Sequence, residues 1–143
     1  MNPNQPNILS GNILIVDDIP DNLNLLSTIL TERGYEVGKA RNGPMALMSA
    51  KTEPPDLILL DINMPNMNGY EVCDRLKADN KTKAIPVIFI SALDEVWDKV
   101  KAFNVGGVDY ITKPFQGEEV LARVANQLSI QALQRALKKE QEK

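Results

Sequence analysis

Four short apolar runs in this chain each end on a charged or hydroxyl-bearing residue. Ile13-Leu14-Ile15-Val16 runs into Asp17-Asp18, and Leu57-Ile58-Leu59-Leu60 into Asp61. Val87-Ile88-Phe89-Ile90 runs into Ser91, and Tyr110-Ile111-Thr112 into Lys113-Pro114. If these runs are parallel strands of one sheet, their ends lie side by side along one edge. Three carboxylates, a hydroxyl and an ammonium then converge on one small crevice. Such a set can hold a divalent cation and a phosphoryl group.

The segments between the runs carry helical spacing. After a first strand at about 12–16, Pro20 suits the first turn of a helix. Leu23, Leu26, Ile29 and Leu30 then recur at helical intervals, and Gly34 supplies a C-terminal stop. A more polar strand at 35–40 reads as an edge strand. A short helix at 44–52 follows the Asn42-Gly43 turn. Pro54-Pro55 precedes a strand at 56–60, Pro65 to Gly69 reads as loop, and a third helix follows to about Ala78. A strand at 85–90 leads to a helix capped by Asp94, with Val96, Val100 and Phe103 as its inner stripe and Trp97 partly packed beside them. Gly106-Gly107 breaks that helix before a strand at 108–112, and a last helix begins near Gln116. Five strands alternating with five helices predict an α/β fold, a doubly wound five-stranded parallel sheet with helices on both faces. Ligands bind such sheets at the carboxyl ends of the strands, where the opening residues all sit.

Composition bounds what the crevice can do. The chain has 143 residues, a net charge of −3 and no histidine. Histidine catalysis, histidine metal ligands and a phosphohistidine within the chain are therefore excluded. The acidic balance and the absence of a basic cluster before the C-terminal tail argue against direct binding of nucleic acid. No apolar stretch approaches membrane-spanning length, so a cytoplasmic protein without a membrane partner is expected. The single cysteine, Cys73, rules out an internal disulfide and reads as a small buried apolar residue.

Each site residue also has a plainer reading. One Asp of the Asp17-Asp18 pair could simply favour a helix N-terminus. A pair joined by Asp61 is costlier, because like charges a few ångströms apart repel. A hard, oxygen-preferring cation relieves that repulsion, and Mg²⁺ fits because it needs only one or two carboxylates. Asp61 alone could be a turn acid, Ser91 a serine on the approach to a helix, Lys113 a surface lysine and Tyr110 a half-buried strand-end tyrosine.

Taken together, Ile13-Leu14-Ile15-Val16-Asp17-Asp18, Asp61-Ile62-Asn63-Met64-Pro65 with Gly69, Ser91-Ala92, and Tyr110-Ile111-Thr112-Lys113-Pro114-Phe115 resemble a response-regulator receiver domain of two-component signal transduction. The resemblance covers about 12–130 and implies the flavodoxin-like strand order 2-1-3-4-5. It implies that Asp61 is the phospho-acceptor for a phosphohistidine on a sensor histidine kinase or phosphotransfer protein. It implies Mg²⁺ held by Asp17, Asp18, Asp61 and the backbone carbonyl of Asn63. Ser91 and Lys113 then engage the phosphoryl group, Ser91 and Tyr110 form the switch, and the Lys113–Pro114 peptide is cis. Asn63 and Leu93 occupy variable positions flanking the phosphoryl site. The module catalyses only its own phosphorylation and dephosphorylation, and a bacterial source is implied.

Rival readings are a degenerate receiver that acts only as an interaction module, an aspartyl-phosphate phosphatase, and a nucleotide or flavin binder. Such phosphatases usually carry a second Asp two residues after the nucleophile, where this chain has Asn63. Asp17-Asp18-Ile19-Pro20-Asp21 lacks the Gly, Ser and Thr of a phosphate cradle. The expected organisation is a disordered tail at 1–11, a receiver domain at 12–129 and a helical extension at 130–143. In the last helix, Leu121, Val124 and Leu128 share one face, and Ile130, Leu133 and Leu137 share another, nearly opposite. The second stripe suggests a helix that leaves the domain to pair in a homodimer or lead to a downstream effector domain. Stand-alone and truncated multidomain forms both fit.

Overall fold

The computed structural model describes residues 11–142. The strands are β1 (Asn12–Val16), β2 (Glu36–Ala40), β3 (Leu57–Leu60), β4 (Val87–Ser91) and β5 (Asp109–Thr112). They alternate with helices α1 (Pro20–Glu32), α2 (Gly43–Thr52), α3 (Gly69–Lys77), α4 (Val96–Asn104) and α5 (Gly117–Gln141). The strands form one parallel sheet in the order β2-β1-β3-β4-β5, as expected. The chain steps from β1 to β2 on one side and then crosses to β3 on the other. The crevice between β1 and β3 is thus the switch point at which ligands bind folds of this kind. The tail expected at 1–11 lies, except for Gly11, outside the described residues.

Local signals set the helix ends. Pro20 opens α1, and Gly34 closes it at φ 104°, a conformation that costs glycine little. Gly34 N–H donates to Thr31 O at 3.0 Å and Tyr35 N–H to Leu30 O at 3.2 Å, which satisfies the last carbonyls. Asn42 caps α2 through Met45 N–H at 2.9 Å. Asn68 and Glu71 close a reciprocal capping box on α3.

The sheet divides two cores by the alternation of its side chains. Leu14, Val16, Ile58, Leu60 and Phe89 face α2, α3 and Ala102 of α4. Ile13, Ile15, Leu57, Leu59, Ile88, Ile90 and Ile111 face α1 and α5. Each fully buried aliphatic side chain here contributes about 1.5–3 kcal/mol of hydrophobic free energy. Cys73 is free and buried. Among the described residues, no helix is long and apolar enough to cross a membrane.

Helix α4 departs from its sequence reading. Its buried residues are Asp98 and Ala102, while Val96, Val100 and Phe103 are all at least half exposed and Trp97 is 67% exposed. The expected inner stripe is an outer one. Small Ala102 lets the helix approach Phe89, and Gly107 N–H, donating to Ala102 O at 2.9 Å, fixes its end on that side. The cap also differs: Glu95 precedes the helix without a side-chain cap bond, and Asp94 instead pairs with Lys99 at 3.2 Å. Strands four and five begin later than expected, at Val87 and Asp109.

The last helix buries Val120, Val124, Gln127 and Leu128, and leaves Ile130, Leu133 and Leu137 exposed. The helix continues unbroken past Ser129 to Gln141. Arg135 Nη1 lies 3.4 Å from Asp56 Oδ1 just before β3.

Candidate functional site

The strand ends are tied together one residue beyond the ladders. Asp17 N–H donates to Ala40 O at 3.2 Å, Asp61 N–H to Val16 O at 2.9 Å, and Lys113 N–H to Ser91 O at 2.8 Å. Their side chains therefore emerge at a common level from rigid backbone. Gly69 fixes the loop after Asp61. Its N–H donates to Ile62 O at 2.8 Å, and a Cβ there would meet the Asp61 carbonyl oxygen and lie 2.8 Å from Ile62 Cα. Only glycine lets the start of α3 lie on the backbone of Asp61 and Ile62. Asn66, at φ 69°, bends the intervening loop, and asparagine tolerates that conformation better than most residues.

Asp17, Asp18 and Asp61 each place a carboxylate oxygen within 4.8 Å of the others. Lys113 Nζ reaches Asp17 Oδ2 at 3.0 Å and Asp61 Oδ1 at 3.6 Å. Asp17 is fully buried and also takes Ile19 N–H at 2.9 Å and the Asn22 amide at 3.2 Å. Asp61 is 3% exposed, and burial pushes its carboxyl up to about 6. Lys113 opposes that shift, Asp17 adds to it, the Asn63 N–H opposes it, and Asp18 adds to it.

Ser91 is buried at the end of β4, where its hydroxyl accepts Leu93 N–H at 3.2 Å. The Tyr110 ring is buried beside it and donates its hydroxyl to Leu93 O at 2.7 Å. Burial raises that phenol to about 12, against the effect of the Ser91 hydroxyl. Lys99 Nζ lies 5.8 Å from the Tyr110 ring centre. The Lys113–Pro114 peptide is cis.

Residues 13–125 match the family model described as the response regulator receiver domain. The chain belongs to this family. The receiver domain is 46% identical over 116 residues to the response regulator PleD of Caulobacter vibrioides, a match covering 81% of this chain and 26% of PleD. It is 41% identical over 112 residues to the protein PilH of Pseudomonas aeruginosa, covering 78% of this chain and 93% of PilH. Among solved structures it is similar to the signal receiver domain of a signal transduction histidine kinase from Syntrophus aciditrophicus. The TM-score is 0.77 at 39% identity, over 83% of this chain and 90% of that one. The chain thus spans about a quarter of PleD and nearly all of PilH.

The receiver domain's crevice has a donor set that fits a hard divalent cation. Three carboxylates face one ammonium, and Asp18 Oδ1 is buried without a hydrogen-bond partner. A buried carboxylate oxygen with no donor is costly. An oxygen-preferring cation supplies what that atom lacks.

The sequence reading brought Asp17, Asp18, Asp61 and Lys113 together, as the receiver domain does. It placed Ser91 and Tyr110 at neighbouring strand ends but did not anticipate that both meet the backbone of Leu93. It also passed over Asn22. Asn22 stands in the first turn of a helix opened by Pro20, four residues after Asp18, and the fold of that turn brings its amide onto Asp17.

Proposed function

We propose that this receiver domain takes a phosphoryl group onto Asp61 from a phosphohistidine of a sensor histidine kinase or phosphotransfer protein, in a Mg²⁺-dependent reaction. The observation that carries this reading is the buried Asp61 carboxylate, 3.6 Å from Lys113 Nζ and clustered with Asp17 and an unpartnered Asp18 oxygen. Asp17, Asp18, Asp61 and the backbone carbonyl of Asn63 would hold the cation. When bound, it neutralises the carboxylates and the phosphoryl oxygens.

The protein's own part is positioning and charge. An Asp61 carboxylate oxygen attacks phosphorus. The P–O bond forms as the P–N bond to the partner imidazole breaks, and that nitrogen keeps the electron pair. Lys113 turns from Asp17 toward a phosphoryl oxygen. The Ser91 hydroxyl leaves Leu93 N–H and donates to another. Leu93 and the Tyr110 hydroxyl bonded to it move together, which carries the change toward α4. The exposed Val96, Trp97, Val100 and Phe103 of α4 support an output surface there. A small phosphodonor should label the chain with Mg²⁺ present and fail to do so in excess chelator; equal labelling in both would refute the mechanism.

A homodimer through the C-terminal helix belongs to the same proposal, supported by the exposed Ile130, Leu133 and Leu137. A chain truncated after Ser129 should sediment as a monomer where the full chain sediments as a dimer. Unchanged sedimentation would exclude this contact.

A further inference from the structure

We propose that Asn22 is a positioning residue, which keeps the Asp17 carboxylate oriented for a divalent cation while Lys113 moves between Asp17 and the phosphoryl group. The inference rests on the proposed function above. It starts from the donors around Asp17. This carboxylate is fully buried and has three: Ile19 N–H on Oδ1 at 2.9 Å, and both Asn22 Nδ2 at 3.2 Å and Lys113 Nζ at 3.0 Å on Oδ2. A carboxylate offers about four lone-pair sites. The arrangement leaves one for a cation, with the others taken by protein.

The three donors differ in what they can do. Ile19 N–H is backbone at the start of α1. Asn22 stands in the first turn of the same helix, where its own N–H donates to Ile19 O at 3.1 Å. Its short side chain cannot follow a phosphoryl group to Asp61. Lys113 is long and flexible, and it already lies within 3.6 Å of Asp61 as well. When Lys113 turns to a phosphoryl oxygen on Asp61, the Asn22 amide is the donor that remains on Asp17 Oδ2. Being neutral, it holds the carboxylate plane without repelling a divalent cation, which a second fixed ammonium would do. Hydrogen bonds that orient a metal-ligating carboxylate are typically worth about 10–100-fold in affinity.

The neighbouring Asn24 supplies the control. It shares the helix but not the site, accepting from Lys39 Nζ at 3.4 Å.

The test uses the full chain with Asn22→Ala, and with Asn22→Leu, which keeps the branching of the side chain but replaces its amide with methyl groups. Mg²⁺ affinity is read by calorimetric titration, and labelling by phosphoramidate is followed against Mg²⁺ concentration. Both variants should bind Mg²⁺ about 10-fold more weakly and need correspondingly more Mg²⁺ for half-maximal labelling rate. At saturating Mg²⁺ the rate should return to about the wild-type value, and Asn24→Ala should match wild type throughout. Without metal both variants should melt somewhat below wild type through the lost bond to buried Asp17, yet cooperatively and well above the titration temperature, so that weaker Mg²⁺ binding is read on folded protein. Wild-type Mg²⁺ affinity in both Asn22 variants would overturn the inference while leaving the proposed function standing. A wild-type chain that binds no Mg²⁺ would overturn both.

Discussion

Asp61→Asn should make the metal-free protein more stable at pH 7.5 and, under the proposed function, abolish labelling by a phosphodonor. The native Asp61 carboxyl sits at about 6 against an ordinary 3.8, chiefly through burial. The folded state therefore holds this proton to higher pH than the unfolded state does. The contribution to stability is full below about pH 4 and is lost as pH rises through about 6. At pH 7.5 the loss is about 3 kcal/mol, given 1.36 kcal/mol for each unit of pKa. An amide at position 61 is never charged and escapes that loss. In chelator, Asp61→Asn should melt about 10 °C above wild type at pH 7.5, with a gap about half as large at pH 5. Equal melting temperatures at both pH values would show that Asp61 ionises in the fold without cost.

Removing the carboxylate that has no donor should cost the most cation affinity. Asp18 Oδ1 is buried and unpartnered, so it gives little to the metal-free fold and has a full lone pair to offer a cation. Asp17, by contrast, is already engaged by Ile19, Asn22 and Lys113. Mg²⁺ typically relies on only one or two carboxylates. Asp18→Ala should thus weaken Mg²⁺ binding by about 10-fold or more, while metal-free melting stays near wild type or rises slightly. A titration showing wild-type affinity for Asp18→Ala would remove Asp18 from the site.

The strand ends were legible because a parallel sheet covered on both faces needs continuous apolar runs, and residues such as Asp17, Asp61 and Ser91 interrupt them abruptly. The turn chemistry of Gly34 and Pro20 was equally plain. Helix α4 was misread because apolarity at helical spacing marks a face and not its direction. Val96, Val100 and Phe103 line an exposed face, while Ala102 and Asp98 are buried. Gln127, buried on α5, was missed because a polar residue beside an apolar stripe is ordinarily read as solvated. Asn22 was missed because a polar residue in a helix's first turn is ordinarily solvated, and only the fold brings it onto Asp17. The roles of the residues, as distinct from their convergence, came from family resemblance. Composition and spacing supply a crevice able to hold a cation and a phosphoryl group, and they do not by themselves say which carboxylate reacts.

That last point is open to direct measurement. The full chain is incubated with phosphoramidate and Mg²⁺, and the modified residue is located by peptide mass spectrometry after borohydride reduction of the acyl phosphate. A single phosphoryl group on Asp61, absent when Mg²⁺ is chelated, is the predicted result. A phosphoryl group on Asp17, Asp18 or any other residue, or a wild-type chain that takes up none, would contradict the account.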